Sequence, residues 1–591
     1  HNEKSNLLGP ATTLALEGSN MRTLTNNFWF GLLAVSLAWL LCGSSFAATY
    51  TGKVTDDRGG AIWGAMVTLK DDDGLGQSVF TNKQGEYLLQ TERSGELQLR
   101  FRKRYHDDKL LDLNVQTGKQ ETVDAILPQL TDAKAISDDH PSLSHFSMIA
   151  FDSDESEPFS RSNFARDCLS CHQLGNEFTR YPRSPEGWMP TVQRMHGYWA
   201  NADEDSIKHR SKMLSDAFDG KKLATSKPHI PFDEMVENAK IYQWPLPDAV
   251  VPHDAEYHPE NGKVYISEMF AGEVIEADLK TNEVKHFELP AEGMPPGGAF
   301  TKRGLPSPYG LTISRAPHSL AEGPDGKFYL TDSIGSAITV FDPKDASFKS
   351  HDIGGDVLYP HTVRAAKDGI IWFSIAFSDQ IGRFDPATGK TKVLSLPKSP
   401  TFGAAGTTVP YGMAVSPVDG NVWYTKLASD KIGRIDAKTL EIKEFDSPVL
   451  GPRRHRFDAA GYLWIAGFSS GDIARVDIQT MDAKVYELPR YAPGEIPAPY
   501  ALAVNPYTQD IWVNDTMVDV SWRFIREEER FVAYPMPLKG TYTRDFTFTK
   551  EGWACSSNNP IPASALEGGV PELLCIDPGE PMPAGAKVAS H

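Results

Sequence analysis

Between residues 245 and 578 the chain says nearly the same thing seven times. The opening phrases are VPHDAEYHPENGKVY, APHSLAEGPDGKFY, YPHTVRAAKDGIIW, VPYGMAVSPVDGNVW, GPRRHRFDAAGYLW, APYALAVNPYTQDIW and TYTRDFTFTKEGW. Each ends on an aromatic anchor: Tyr265, Tyr329, Trp372, Trp423, Trp464, Trp512 and Trp553, spaced 41 to 64 residues apart. Within each unit, short apolar runs are broken by Gly, Asp or Pro turns, as four short strands require. A unit of this length and pattern cannot bury its faces alone, and stacking around an axis solves that problem. The repeat therefore predicts a seven-bladed β-propeller over 245–578. The 48 Gly and 42 Pro of the chain suit such a turn-rich, mainly β protein.

Equivalent positions of a propeller lie at one height around its axis. Counting back from the anchors gives a first ring, His253, His318, His361, Tyr411, Arg453, Tyr500 and Tyr542. Three positions past the anchors lies a second ring, Glu268, Asp332, Ile375, Lys426, Gly467, Asp515 and Ser556. Imidazoles and carboxylates converging on one mouth would make a site for a divalent metal or for general acid–base work. His253, Glu268, His318, Asp332 and His361 are the candidate catalytic residues, and His253, His318, His361 and Glu268 the candidate metal ligands. The bland alternative is that the ring residues only hydrogen-bond neighbouring loops.

At 591 residues the chain exceeds one core. Residues 21–48 combine Arg22, an apolar run from Phe28 to Leu41 and a small-residue exit at Ser45-Phe46-Ala47, the pattern of a secretory signal peptide. Residues 1–20 read as an upstream extension. The apolar run is short beside the roughly 20 residues of a membrane span. The expectation is a periplasmic or secreted protein with no stable membrane insertion after cleavage. The 78 Asp and Glu against 59 Lys and Arg disfavour nucleic acid as a partner. In an exported chain Cys555 and Cys575 are expected to pair.

Residues 49–128 alternate polar and apolar side chains between turns such as Asp57-Arg58-Gly59-Gly60 and Lys83-Gln84-Gly85, which predicts a β-sandwich of about seven strands. The opening G-x-V-x-D-x-x-G from Gly52 to Gly59, then Gly64-Ala65-x-Val67 and TNKQGEYLL, resemble the carboxypeptidase regulatory-like (transthyretin-like) domain. That resemblance implies a fold and a docking role, without chemistry. Residues 129–154, acidic and rich in Ser, read as a linker, as do 223–244; 579–591 read as a tail.

Cys168-Leu169-Ser170-Cys171-His172 interrupts this β pattern. C-x-x-C followed by His is the attachment signature of haem c: two thiols take the vinyl groups and the histidine ligates the iron. Four-ligand zinc needs a second pair at similar spacing, and no second C-x-x-C exists. Downstream, WMPTVQRMHGYW resembles the second half of small class I cytochromes c, in which a W-x-x-T-V-x-x-M helix supplies the distal methionine. That resemblance implies Met195 as sixth ligand, with Met189 and His196 as rivals, in a small α-helical haem domain over 155–222.

The recurring P-[HY], D-G-x-[VIL]-W and I-G-R-[IF]-D phrases resemble the virginiamycin B lyase (streptogramin lyase) family. In that family a P-H histidine and a W-F-T-E-x-H phrase supply catalytic histidines, a glutamate and a magnesium site. Here Phe270 and Ile334 stand where the second histidine belongs. The expected function is therefore a haem c-dependent oxidoreductase: the propeller holds a small-molecule substrate and the haem passes electrons to a soluble cytochrome. The alternatives are a non-catalytic electron-transfer and binding protein, or a metal-dependent lyase or hydrolase with an accessory cytochrome.

Overall fold

The computed structural model describes residues 48–155, 157–197, 203–354 and 356–582. The upstream extension and the signal peptide, apart from Ala48, lie outside the described residues, as does most of the tail. Among the described residues no helix is long and apolar enough to cross a membrane.

Eight strands form the N-terminal unit: β1 (Ala48–Thr55), β2 (Met66–Lys70), β3 (Gly76–Phe80), β4 (Glu86–Thr91), β5 (Gly95–Arg102), β6 (Lys109–Val115), β7 (Lys119–Thr122) and β8 (Ala125–Ile126). Strand β1 pairs with β4, β7 and β8, while β3-β2-β5-β6 make the second sheet. Period-two burial explains the core: Leu97, Leu99 and Phe101 of β5 point in, against Tyr50, Val54 and Val67.

Six separate four-stranded sheets follow in sequence order, each an antiparallel meander. Their inner strands are Pro252–His258, Pro317–Glu322, Pro360–Ala365, Pro410–Val415, Pro452–Phe457 and Pro499–Val504. Second strands such as Ile371–Ile375 and Leu463–Gly467 are buried at every position, being covered on both faces by neighbouring blades. Outermost strands such as Lys390–Ser395 alternate exposed and half-buried residues, which blunts their free edges.

The seventh blade is assembled from both ends of this region. Thr547–Phe548, Ala554–Asn558 and Glu572–Asp577 pair in order, and β9 (Lys240–Pro245), placed in a linker by composition, is its outer strand. Cys555 and Cys575 lie directly opposite each other in this blade and are joined by a disulfide, a bond that oxidising compartments preserve. Strand β9 also pairs with β3, so the blade and the N-terminal unit share one eight-stranded sheet. Arg100 and Arg102 of β5 clamp Glu567 at 2.7 and 2.8 Å across that junction.

The stretch 129–154 is not a bare linker. It carries α1 (Ala133–Asp138) and α2 (Ser142–Phe146), whose Leu143 and Phe146 are fully buried. Three further helices follow: α3 (Arg161–Cys168), α4 (Pro185–Gly197) and α5 (Glu204–Ala217). Their apolar residues Phe164, Trp188, Val192 and Leu214, with Leu169 just past α3, belong to one cluster with Met269, Tyr359, Tyr411 and Tyr500 of the propeller. The helical segment is thus a cap on one propeller face, sharing its core. Arg166 pairs with Asp430 at 2.5 Å, and Arg161 donates to the Ser469 carbonyl at 2.7 Å.

Candidate functional site

Hydroxyl groups two positions past the anchors fix the height of the first ring. Ser267 donates to the carbonyl of His318, Thr331 to that of His361, Ser374 to that of Tyr411 and Thr425 to that of Arg453. Each of these four blades so latches the ring residue of the next; the fifth and sixth blades carry Ala466 and Asn514 at that position. In the last blade Ser557 donates to the His253 carbonyl and closes the circle.

That latch corrects the seventh position. Thr543 bridges to Asn558 where the other blades pair proline with the residue three past the anchor, for example Pro252 with Glu268. The ring member of blade seven is therefore Arg544, with Asn558 in the second ring, in place of Tyr542 and Ser556. Cys555 takes the anchor position, and Trp553 instead stacks on Tyr242 at 4.8 Å.

The corrected ring is a continuous collar. Ring centroids are 4.1 Å apart for His253 and His318, 3.9 Å for His318 and His361, and 4.1 Å for His361 and Tyr411. The Arg453 guanidinium lies 4.6 Å from the Tyr411 ring and 3.9 Å from that of Tyr500, and Arg544 lies 5.4 Å from Tyr500. Arg453 donates to the Tyr411 hydroxyl at 2.7 Å, Arg544 to the Tyr500 hydroxyl at 3.2 Å, and the two hydroxyls are 3.0 Å apart.

Across a cavity from this collar sits the C-x-x-C loop. Cys168, Ser170, Cys171 and Met195 line the same space as His253, His318, His361, Tyr411, Arg453, Tyr500 and Arg544. Collar and neighbouring side chains hold the loop there. Tyr542 donates to the Leu169 carbonyl at 2.7 Å, Arg453 reaches Ser170 Oγ at 3.4 Å, and the Ile561 amide donates to the Cys171 carbonyl at 2.9 Å. Asp167 fixes the other side, accepting from Arg210 at 2.5 Å and from the Ala404 amide at 2.8 Å. The approach is so close that a Cβ on Gly403 would sit 2.6 Å from the Asp167 carboxylate, and φ of +77° there already favours glycine.

The loop is less regular than the sequence suggests. Helix α3 ends at Cys168, so the two thiols do not ride on one helical turn. Both are free and half-buried. His172 is half-buried beside the cavity, outside the residues that line it; its Nδ1 hydrogen-bonds the Gln173 carbonyl at 2.6 Å. Of the three candidate distal ligands, only Met195 lines the cavity. Trp188, Val192 and Met195 follow i, i+4, i+7 on α4, so burying Trp188 turns Met195 inward. Met189 packs against the core, and His196 is bound by Arg210 at 3.0 Å.

Burial and neighbouring cations keep the collar imidazoles neutral. Burial, then Arg544, pushes His253 down to about 4; burial and the adjoining histidines hold His318 well below its usual value, and burial and Arg454 do so for His361. Burial pushes the Cys168 thiol up to about 12. Burial would raise Tyr500 as well, yet Arg544, Arg453 and Arg454 bring it below a free phenol.

Immediately below the collar lies a charged layer that repeat-counting missed. Arg454 binds Asp254 and Asp545 at 2.9 Å each, and Arg364 and Arg456 also bind Asp545. The signal was available: His253-Asp254, Arg453-Arg454 and Arg544-Asp545 each carry a charged residue just after the ring position.

The second ring does not meet the first. Glu268 accepts the amides of Val250, Val251 and Ala271; Asp332 accepts those of Ala316 and Gly335 and pairs with Arg315 at 2.9 Å. These carboxylates satisfy backbone donors at blade corners, the buried-amide problem that every loop must solve. The expected divalent site of His253, His318, His361 and Glu268 is accordingly not formed: among the described residues no three His, Cys, Asp or Glu side chains are grouped to hold a metal ion.

Comparison with known proteins assigns two parts of the chain. The profile of the virginiamycin B lyase family matches residues 296–523, and that of the carboxypeptidase regulatory-like domain matches residues 49–128. The chain thus carries a virginiamycin B lyase-like propeller and a carboxypeptidase regulatory-like domain. Among solved structures, the selenomethionine-substituted virginiamycin B lyase of Staphylococcus aureus is 18% identical with a TM-score of 0.45, covering 57% of this chain and 99% of that one. A streptogramin B lyase is 18% identical with a TM-score of 0.46, covering 57% and 97%. The hydrazine synthase of Kuenenia stuttgartiensis is 13% identical with a TM-score of 0.39, covering 52% and 93%. No curated protein matches.

Proposed function

We propose that this chain is an exported haem c protein whose haem sits between the helical cap and the propeller collar, and that it works as an oxidoreductase. One observation carries the reading: Cys168, Cys171 and Met195 face the collar across a single cavity. The thiols and Met195 are placed to hold the group, whereas His172 stands beside the cavity and would have to turn into it. Both thiols are free to form thioethers. The Nδ1 contact of His172 with the Gln173 carbonyl leaves Nε2 as the ligating nitrogen, the usual way a ligating imidazole is oriented. Met195 would supply a second ligand. Once bound, the haem supplies a one-electron carrier whose His/Met ligation favours electron transfer.

The protein's own residues then have defined tasks. Tyr542, Arg453 and Arg544 hold the attachment loop against the collar. The collar closes the cavity from below and presents three neutral imidazoles able to hydrogen-bond a substrate bound against them. Electrons would leave to a soluble cytochrome in the periplasm. The lyase alternative loses ground because Glu268 and Asp332 are committed to backbone amides.

The test is the visible spectrum and midpoint potential of the exported protein with Met195→Ala, Met189→Ala and His196→Ala. Loss of the methionine–iron charge-transfer band and a lower potential are expected for Met195→Ala alone. An unchanged spectrum in Met195→Ala would overturn this ligand assignment and with it the placement of the haem.

A further inference from the structure

The collar carries two cations that nothing around them neutralises. Arg453 and Arg544 are 1% and 2% exposed and both line the cavity. Arg453 contacts only the Tyr411 hydroxyl and Ser170 Oγ by hydrogen bonds, with its Nε unpartnered, and is otherwise held by the faces of Tyr411, Phe468 and Tyr500. Arg544 donates to Asn559, to the Ser170 carbonyl and to the Tyr500 hydroxyl. Neither forms a salt bridge among the described residues. The nearby carboxylates are taken: Asp254 and Asp545 by Arg454, and Asp167 by Arg210. His318, also lining the cavity, has an unpartnered Nδ1 and is 3% exposed.

Buried charges are normally paired, because an isolated one forfeits its hydration with no return. Aromatic faces attract a guanidinium without cancelling its charge. The geometry points to a carboxylate receptor in this cavity, built by Arg453 and Arg544 with His318 beside them. It deepens the reading of the cavity as the functional site. The carboxylate has two sources of the same chemistry: a side arm of the bound haem, or a free carboxylate substrate.

The experiment uses the full exported chain in two preparations, one with covalent haem and one haem-free from a host lacking attachment machinery. Acetate is titrated into both by calorimetry at constant ionic strength, and haem and haem dimethyl ester into the haem-free chain. Acetate binding to the haem-loaded chain identifies a free substrate. Acetate binding confined to the haem-free chain, with haem held at least tenfold tighter than its ester, identifies the haem carboxylates. In either case Arg453→Gln and Arg544→Gln should each weaken binding about 10- to 100-fold, the range of a charge-assisted hydrogen bond. Arg453→Lys, which keeps the charge, should retain most of it, so a folding defect in one Gln variant does not hide the effect. No acetate binding to either preparation, with haem and ester bound equally, would overturn the receptor. Covalent haem without carboxylate selectivity sinks this inference and leaves the haem reading; carboxylate binding in a chain that never acquires haem does the reverse.

Discussion

Replacing Arg454 by methionine removes the central cation of the propeller axis. The residue is fully buried and binds Asp254 and Asp545 at 2.9 Å. Asp545 would keep Arg364 and Arg456, whereas Asp254 would keep only His253, at 3.0 Å, as a side-chain partner. Breaking a buried pair on one side costs about 3–5 kcal/mol. Burial alone would raise the Asp254 pKa, but Arg454 and His253 hold it well below the usual range. A depressed carboxylate stabilises the fold fully above its unfolded value of about 3.9 and loses that contribution as pH falls through its folded value. Without Arg454 the folded value rises above the unfolded one and the sign reverses. The deficit of Arg454→Met should then be largest at pH 7.5 and shrink toward pH 5. Urea unfolding followed by tryptophan fluorescence reads this directly, provided the slopes match. Asp254→Asn combined with Arg454→Met should recover much of the loss. A deficit below about 1 kcal/mol, or one that is independent of pH, would refute the account of the charged layer.

Two further outcomes follow from the last blade. Cys555→Ala with Cys575→Ala opens a cross-link with a sequence separation of 20, which should lower stability by about 3 kcal/mol, an effect read by unfolding of wild type with and without reductant. Burial would raise the Glu567 carboxyl, but Arg102 and Arg100 pull it down to about 2. Its clamp on β5 should be intact above pH 4.5 and fail as pH falls toward 2, and hydrogen exchange of β5 amides should already be raised at pH 6 in Glu567→Ala.

The propeller was legible because turn phrases and aromatic anchors recur at fixed offsets, and six of seven ring positions follow from them. The seventh slipped by two residues because Trp553 looks like an anchor, whereas a disulfide cysteine fills that place. Distance along the chain also hid β9, since an outer strand donated from the N-terminal side carries no repeat phrase. The helices within 129–154 were masked by recurring Ser and Asp, while Leu143 and Phe146 do the packing. Glu268 and Asp332 misled for a different reason: a carboxylate at a blade corner is selected as readily by orphan amides as by a metal. The C-x-x-C-H loop could be read from five residues, but its position over the collar is a tertiary fact.

The central claim is that haem is attached over the collar. The most direct measurement is the intact mass of the chain exported by a host with haem-attachment machinery, followed by the mass of the peptide containing Cys168 and Cys171. The account predicts one covalently bound haem on that peptide, lost when both cysteines are replaced by alanine. An unmodified peptide with two alkylatable thiols, from a host that loads a control cytochrome, would contradict it.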